Sequence, residues 1–125
     1  MKVSTLIVQN LVRVLGVILL ILGFLFWTGH SFDLVRLHMN LGVALVLLLW
    51  VLAGIGIAAK VKPGLIVAAI LWGALTVFFG MTMGRLLPGR AHEIIRVAHF
   101  LIGLGAIALA ESLGARIKRA SPVSR

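Results

Sequence analysis

The strongest constraint on this chain is a set of four long apolar runs, separated by short loops that contain proline, glycine or charged residues. The runs cover about residues 6–28, 32–59, 65–83 and 91–117 of a chain of 125 residues. At about 1.5 Å per residue, each run is long enough as a helix to cross a hydrocarbon core of about 30 Å. Because backbone groups find no water partner in that core, the sequence predicts four membrane-spanning helices rather than barrel strands.

The short connections between the runs predict how the helices are arranged. Consecutive helices are expected to be antiparallel neighbours in an all-α, up-down-up-down four-helix bundle, a single transmembrane domain over residues 1–125. Ser31 is a candidate N-cap for the second helix. The basic segment 115–125 is expected to lie against anionic headgroups or to fray.

Composition agrees with an integral membrane protein and excludes several other classes. The chain is 62% hydrophobic and 12% charged, and the charged share is about half that of a soluble domain. The net charge of +9 therefore indicates contact with lipid headgroups and no role in binding nucleic acid. The chain has no cysteine, which excludes disulfides, iron–sulfur clusters and covalent c-type haem attachment.

The distribution of basic residues predicts the orientation of the bundle. Eight lysines and arginines lie at the predicted end that carries both termini, and four lie at the opposite end. By the positive-inside rule this favours both termini in the cytoplasm of a bacterial-type inner membrane. The first run is followed by Thr28-Gly29-His30 without a small-residue cleavage site, so it is interpreted as a retained helix.

All four histidines fall at the predicted outer end of the bundle. His38 lies about two turns into the second span and His99 about two turns into the fourth. Because both helices enter the membrane from the same side, the two imidazoles are expected at similar depth. Two neutral imidazoles on facing helices are the ligands of a six-coordinate b-type haem, so the pair predicts a haem b site. A polar pair that bridges two helices is the structural alternative.

Residues near these two histidines suit the same cofactor. Gly42 and Gly103 each follow a histidine by four residues, on the same helix face, where a missing side chain would let a flat macrocycle approach. Arg36 and Arg96 are expected near the haem propionates, since guanidinium groups pair with carboxylates. The alternative for these arginines is contact with lipid phosphate.

The remaining histidines and the one acid within a span are open to several interpretations. His30 and His92 are candidates for a second axial pair, for proton donors to a quinone or oxygen species, or for ordinary interfacial residues. Glu111 is expected to lie near the cytoplasmic edge and to pair with basic neighbours such as Arg116. Arg13 is expected to snorkel from the start of the first span.

With its four spans and the His-x-x-x-Gly segments at His38 and His99, the chain resembles the four-helix b-type membrane cytochromes. That group includes bacterial cytochrome b561 and superoxide oxidase. The resemblance implies bis-histidine haem b ligation and electron exchange with quinol, oxygen species or a partner protein. Such proteins commonly carry haem ligands near both membrane faces, whereas this chain has no histidine in its predicted cytoplasmic half. The expectation is one haem, or two side by side, near the outer surface.

The leading hypothesis is therefore a membrane haem protein that transfers single electrons near its outer face, quinol-linked or within a larger assembly. One alternative is a cofactor-free scaffold or accessory subunit. Another is a copper site formed by histidine with Met39, Met81 and Met83, because imidazole and thioether ligands suit copper. Small residues on the helix faces indicate a homo-oligomer or a subunit of a larger complex.

Overall fold

The computed structural model describes residues 2–86 and 89–120, and four α-helices fill most of them. Short 3-10 turns precede α2, follow α3 and precede α4, and the described residues contain no strand. The all-α fold with four long helices is therefore as predicted. The helices are α1 (Lys2–Trp27), α2 (Val35–Ala58), α3 (Pro63–Thr82) and α4 (His92–Ala120), and the turns are Phe32–Leu34, Met83–Arg85 and Gly89–Ala91.

Each helix, taken with its adjoining turn, is long and apolar enough to cross a membrane. The most apolar stretches have mean hydropathies between 1.8 and 2.7. At most one third of the residues in those stretches are buried within the bundle, so most apolar side chains face outward. An apolar surface of this extent needs lipid or protein around it, and the chain has the character of a multi-pass membrane protein.

The helices pack so that the second and fourth meet at the centre. α1 and α3 each contact both α2 and α4, and α2 also contacts α4 directly. The fully buried side chains of this core include Leu49 and Leu52 from α2 and Leu113 and Ile117 from α4. The helices that carry His38 and His99 therefore form the inner pair of the bundle.

Two glycines let tryptophan side chains lie flat against neighbouring helices. A Cβ atom added at Gly73 would lie 2.6 Å from Nε1 of Trp50, and one added at Gly105 would lie 2.7 Å from ring atoms of Trp72. The Trp72 indole N–H also donates a 2.8 Å hydrogen bond to the carbonyl of Ile102. These contacts tie α3 to α2 and α4 by close approach at small residues, as is usual between membrane helices.

The turn between α2 and α3 is tightly hydrogen-bonded. Lys60 has a φ of 59°, in the left-handed region. The N–H of Lys60 donates to the Ile57 carbonyl at 3.1 Å, and the N–H of Val61 donates to the Gly56 carbonyl at 2.9 Å. This is the Schellman pattern of helix termination, and Pro63 then opens α3 at a position where its missing N–H costs nothing.

One local prediction is wrong. Ser31 is left-handed, with φ 59°, and its side chain makes no capping hydrogen bond, because a 3-10 turn separates it from α2. Residues 115–120 of the predicted basic segment continue α4 to Ala120, with Leu113 and Ile117 packed in the core. The remainder of the predicted basic tail, 121–125, lies outside the described residues.

Candidate functional site

The structure places His38 of α2 beside His99 of α4. Their ring centres are 6.2 Å apart, and the ring planes are inclined by 53°. Both residues are half-buried near the starts of their helices. They meet because α2 and α4 run side by side at the centre of the bundle, with their histidine-bearing ends at the same level.

Glycines on the two outer helices make room for these imidazoles. A Cβ atom added at Gly23 of α1 would lie 3.7 Å from Cε1 of His38, and one added at Gly80 of α3 would lie 3.3 Å from Cε1 of His99. Each imidazole therefore lies against the backbone of a neighbouring helix. Gly23 and Gly80 each lie seven residues from another glycine of the same helix, Gly16 and Gly73, a spacing that also fits helix packing alone.

Two phenylalanines complete the surroundings of the pair. Phe26 of α1 meets His38 edge-on with ring centres 5.3 Å apart. Phe79 of α3 stacks on His99 with ring centres 6.1 Å apart and planes inclined by only 10°. The aromatic contacts limit the access of water to both imidazoles, and Phe79 could not be singled out from the sequence.

Both imidazoles carry a nitrogen without a partner. Among the described residues, the Nδ1 atoms of His38 and His99 are buried and have no hydrogen-bond partner. A buried polar atom left unpaired costs about 1–3 kcal/mol. Each imidazole therefore has a buried nitrogen for which the described residues supply no partner.

The separation of the imidazoles can be compared with the size of an iron centre. A bond from a metal to an imidazole nitrogen is about 2.0–2.1 Å, and that nitrogen lies about 1 Å from the ring centre. Two imidazoles on opposite sides of one iron therefore have centres about 6 Å apart. The observed 6.2 Å agrees with this spacing.

The two glycines and two arginines predicted for the site differ in their surroundings. A Cβ atom added at Gly42 or Gly103 would meet nothing within 4 Å, so the space beside both glycines is open. Arg36 is exposed at the start of α2. Arg96 donates to Glu93 across one helical turn, with an Nη1–Oε1 distance of 2.8 Å, so part of its guanidinium group is already engaged.

His30 and His92 each contact a residue close to them in the sequence. Nδ1 of His30 lies 3.1 Å from the Thr28 hydroxyl oxygen. Nδ1 of His92 lies 3.1 Å from the Leu86 carbonyl oxygen, and because a carbonyl only accepts, Nδ1 of His92 carries the proton. That tautomer leaves Nε2 of a neutral His92 as a free acceptor.

Two methionines of the copper hypothesis lie on the surface of the bundle. Met39 and Met81 are exposed, and Met81 lines an apolar groove between α2 and α3, together with Trp50 and Phe78. Within residues 2–86 and 89–120, no group of three or more histidine, aspartate or glutamate side chains is placed to hold a metal ion.

A second polar site joins α1 to α4, and of it the sequence predicted only that Glu111 would form an ion pair. The guanidinium of Arg13 binds the Glu111 carboxylate through two bonds, Nε to Oε1 at 2.8 Å and Nη2 to Oε2 at 2.9 Å. Gln9, which is 1% exposed, donates to the Glu111 carbonyl at 3.4 Å. Glu111 therefore pairs with Arg13 rather than with its near neighbour Arg116. A contact across 98 residues leaves no local signal in the sequence.

Comparison with known proteins provides no relative of this chain. No protein-family model, no curated protein and no solved structure matches it. Any statement about function therefore depends on the residues and geometry described above.

Proposed function

We propose that this chain is a membrane b-type haem protein that carries out one-electron transfer near the histidine end of the bundle. The observation that carries the proposal is the facing pair of imidazoles, 6.2 Å apart, each with a buried nitrogen that lacks a partner. When bound, haem b would supply a ferric/ferrous couple for single electrons. His38 and His99 would be its axial ligands.

The neighbouring side chains would control the environment of that pair. Phe26 and Phe79 keep water from the imidazoles, and burial of this kind shifts the potential of an iron centre. Arg36, which is exposed and makes no ion pair among the described residues, would hold a propionate. Arg96 would do so while it shares its charge with Glu93.

The proposed orientation places both termini in the cytoplasm of a bacterial-type inner membrane and the histidines at the outer face. The excess of lysine and arginine at the terminal end supports this orientation. Contacts between Gly23 and His38 at one end, and between Arg13 and Glu111 towards the other, support an up-down-up-down path. A quinone or a partner protein would exchange electrons near the outer face, in a homo-oligomer or a larger complex.

The experiment that tests the proposal is spectroscopic. Protein purified from haem-sufficient cells is expected to show a Soret band that shifts on reduction with dithionite, and a pyridine haemochrome assay gives the haem type and stoichiometry. His38→Ala and His99→Ala are each expected to abolish the low-spin spectrum, because each removes one axial ligand. His30→Ala is the matched control and is expected to keep the spectrum. A full spectrum in both site variants would contradict the ligand assignment.

A second candidate function is that of a cofactor-free accessory subunit. It is favoured by the ion pair of Arg13 and Glu111, whose side chains are 50% and 38% exposed on the surface of a membrane-length bundle. Such exposed charges within apolar helices would suit contact with another membrane protein. A colourless preparation that copurifies with a defined partner would favour this function. Copper found by elemental analysis without a Soret band would favour the copper site.

A further inference from the structure

A basic depression lies at the end of the bundle opposite the histidines. It has a volume of about 300 Å³ and is formed where the turn between α2 and α3 meets the end of α4. This volume is at the lower end of the range for small-molecule sites. The lining residues are Lys60, Val61, Lys62, Arg116, Arg119 and Ala120.

The four cations of this depression have no counter-ion within the described chain. The chain has only three acidic side chains. Glu111 is bound to Arg13 and Glu93 to Arg96, while Asp33 belongs to the turn at the far end of α2. The described residues therefore supply no side-chain carboxylate to balance these four charges.

Hydrogen bonds fix the backbone around the depression. The Schellman hydrogen bonds fix the backbone at Lys60 and Val61, and Val61 is itself part of the core. Lys62 is the N-cap of α3, so the positive end of that helix dipole adjoins the four cations. Arg119 donates from Nε to the Ala115 carbonyl at 3.4 Å, which directs the side chain while its terminal nitrogens remain as donors.

We propose that this depression binds the phosphate of an anionic phospholipid headgroup. The site lies at the ends of membrane-length helices, where headgroups lie, and basic pockets between such helices recognise anionic lipids. The outward apolar face of α3, which includes Val67, Ile70 and Leu71, gives the acyl chains a surface beside the phosphate site. The depression is separate from the histidine pair, so the lipid-binding proposal does not depend on whether haem is bound.

The test measures binding of dioleoyl phosphatidylglycerol to the full-length protein in uncharged detergent by native mass spectrometry. Phosphatidylcholine with the same chains and inorganic phosphate are the comparison probes. The variant Arg116→Gln/Arg119→Gln is expected to weaken phosphatidylglycerol binding about 25-fold, since each cation near a headgroup contributes about fivefold. Lys60→Gln/Lys62→Gln is a second variant with the same expected loss, and circular dichroism checks that both remain helical.

The matched control is Lys2→Gln/Lys118→Gln, which removes two positive charges from the same end of the bundle but outside the depression. Its binding is expected to change less than twofold. An equal loss in the control, or equal binding of phosphatidylcholine, would overturn the proposal, because the attraction would then be diffuse or not directed to the headgroup. Inorganic phosphate that binds as tightly as the lipid would assign the depression to a soluble anion and would also overturn it.

Discussion

The contact between Gly105 and Trp72 predicts a large effect from the addition of one methyl group. In Gly105→Ala the new Cβ atom would lie 2.7 Å from the Trp72 ring. An ordinary contact at this site is 3.4–4 Å, so the ring must retreat by about 0.7 Å. The indole is rigid and its N–H already donates to Ile102 at 2.8 Å, so the same movement stretches that hydrogen bond.

The expected loss of stability follows from these two effects. Overpacking costs about 1–3 kcal/mol and a weakened hydrogen bond about 1 kcal/mol, while alanine recovers about 1 kcal/mol of helix propensity. Gly105→Ala is therefore expected to destabilise the bundle by about 1–3 kcal/mol. Gly103→Ala, two residues earlier on α4, meets open space and is expected to leave stability unchanged or to raise it by up to about 1 kcal/mol.

The assay is reversible unfolding in mixed micelles, followed by circular dichroism and extrapolated to zero denaturing detergent. The double variant Gly105→Ala/Trp72→Leu completes a mutant cycle. Because leucine is flexible and lacks the N–H group, the alanine at 105 should cost less in that background than in the wild type. Equal stabilities for Gly105→Ala and Gly103→Ala would refute the reasoning, since the tryptophan would then have space to move freely.

The remaining predictions concern the two polar sites. For the proposed haem protein, Gly80→Ala is expected to shift the reduction potential measured by redox titration, because its Cβ would lie 3.3 Å from His99. Gly23→Ala, at 3.7 Å from His38, should leave that potential nearly unchanged. Equal shifts in the two variants would contradict this difference in packing. Glu111→Gln is expected to lower the thermal unfolding midpoint, because Arg13 loses its counter-ion, and Arg13→Gln added to it should restore part of the loss. A double variant less stable than Glu111→Gln would count against this account.

The number and approximate extent of the helices could be predicted because hydropathy is a local property. The apolar runs are long enough that errors of a few residues at their ends do not change the fold. The proximity of His38 and His99 followed from one further step, since short loops bring the starts of the second and fourth helices to one end. The prediction of this proximity needs only the direction in which each helix runs, and not the positions of side chains.

The rest depends on how each helix is rotated about its own axis, which the sequence of a nearly uniform apolar helix specifies poorly. Gly23 and Gly80 lie beside the imidazoles, while Gly42 and Gly103 face open space. The pairing of Arg13 with Glu111 also depends on how α1 and α4 are rotated about their axes. Only the packed bundle determines which polar residues of α1 and α4 face each other.

The unbroken course of α4 has a mechanical consequence. Its 29 residues form a rod about 43 Å long, with His99 near one end and the basic depression at the other. If the rod rocks on Leu113, which is fully buried, a tilt of about 3° displaces the His99 imidazole by about 1 Å. A tilt of α4 at its basic end would thus change the spacing between the His99 and His38 imidazoles at the opposite end of the bundle.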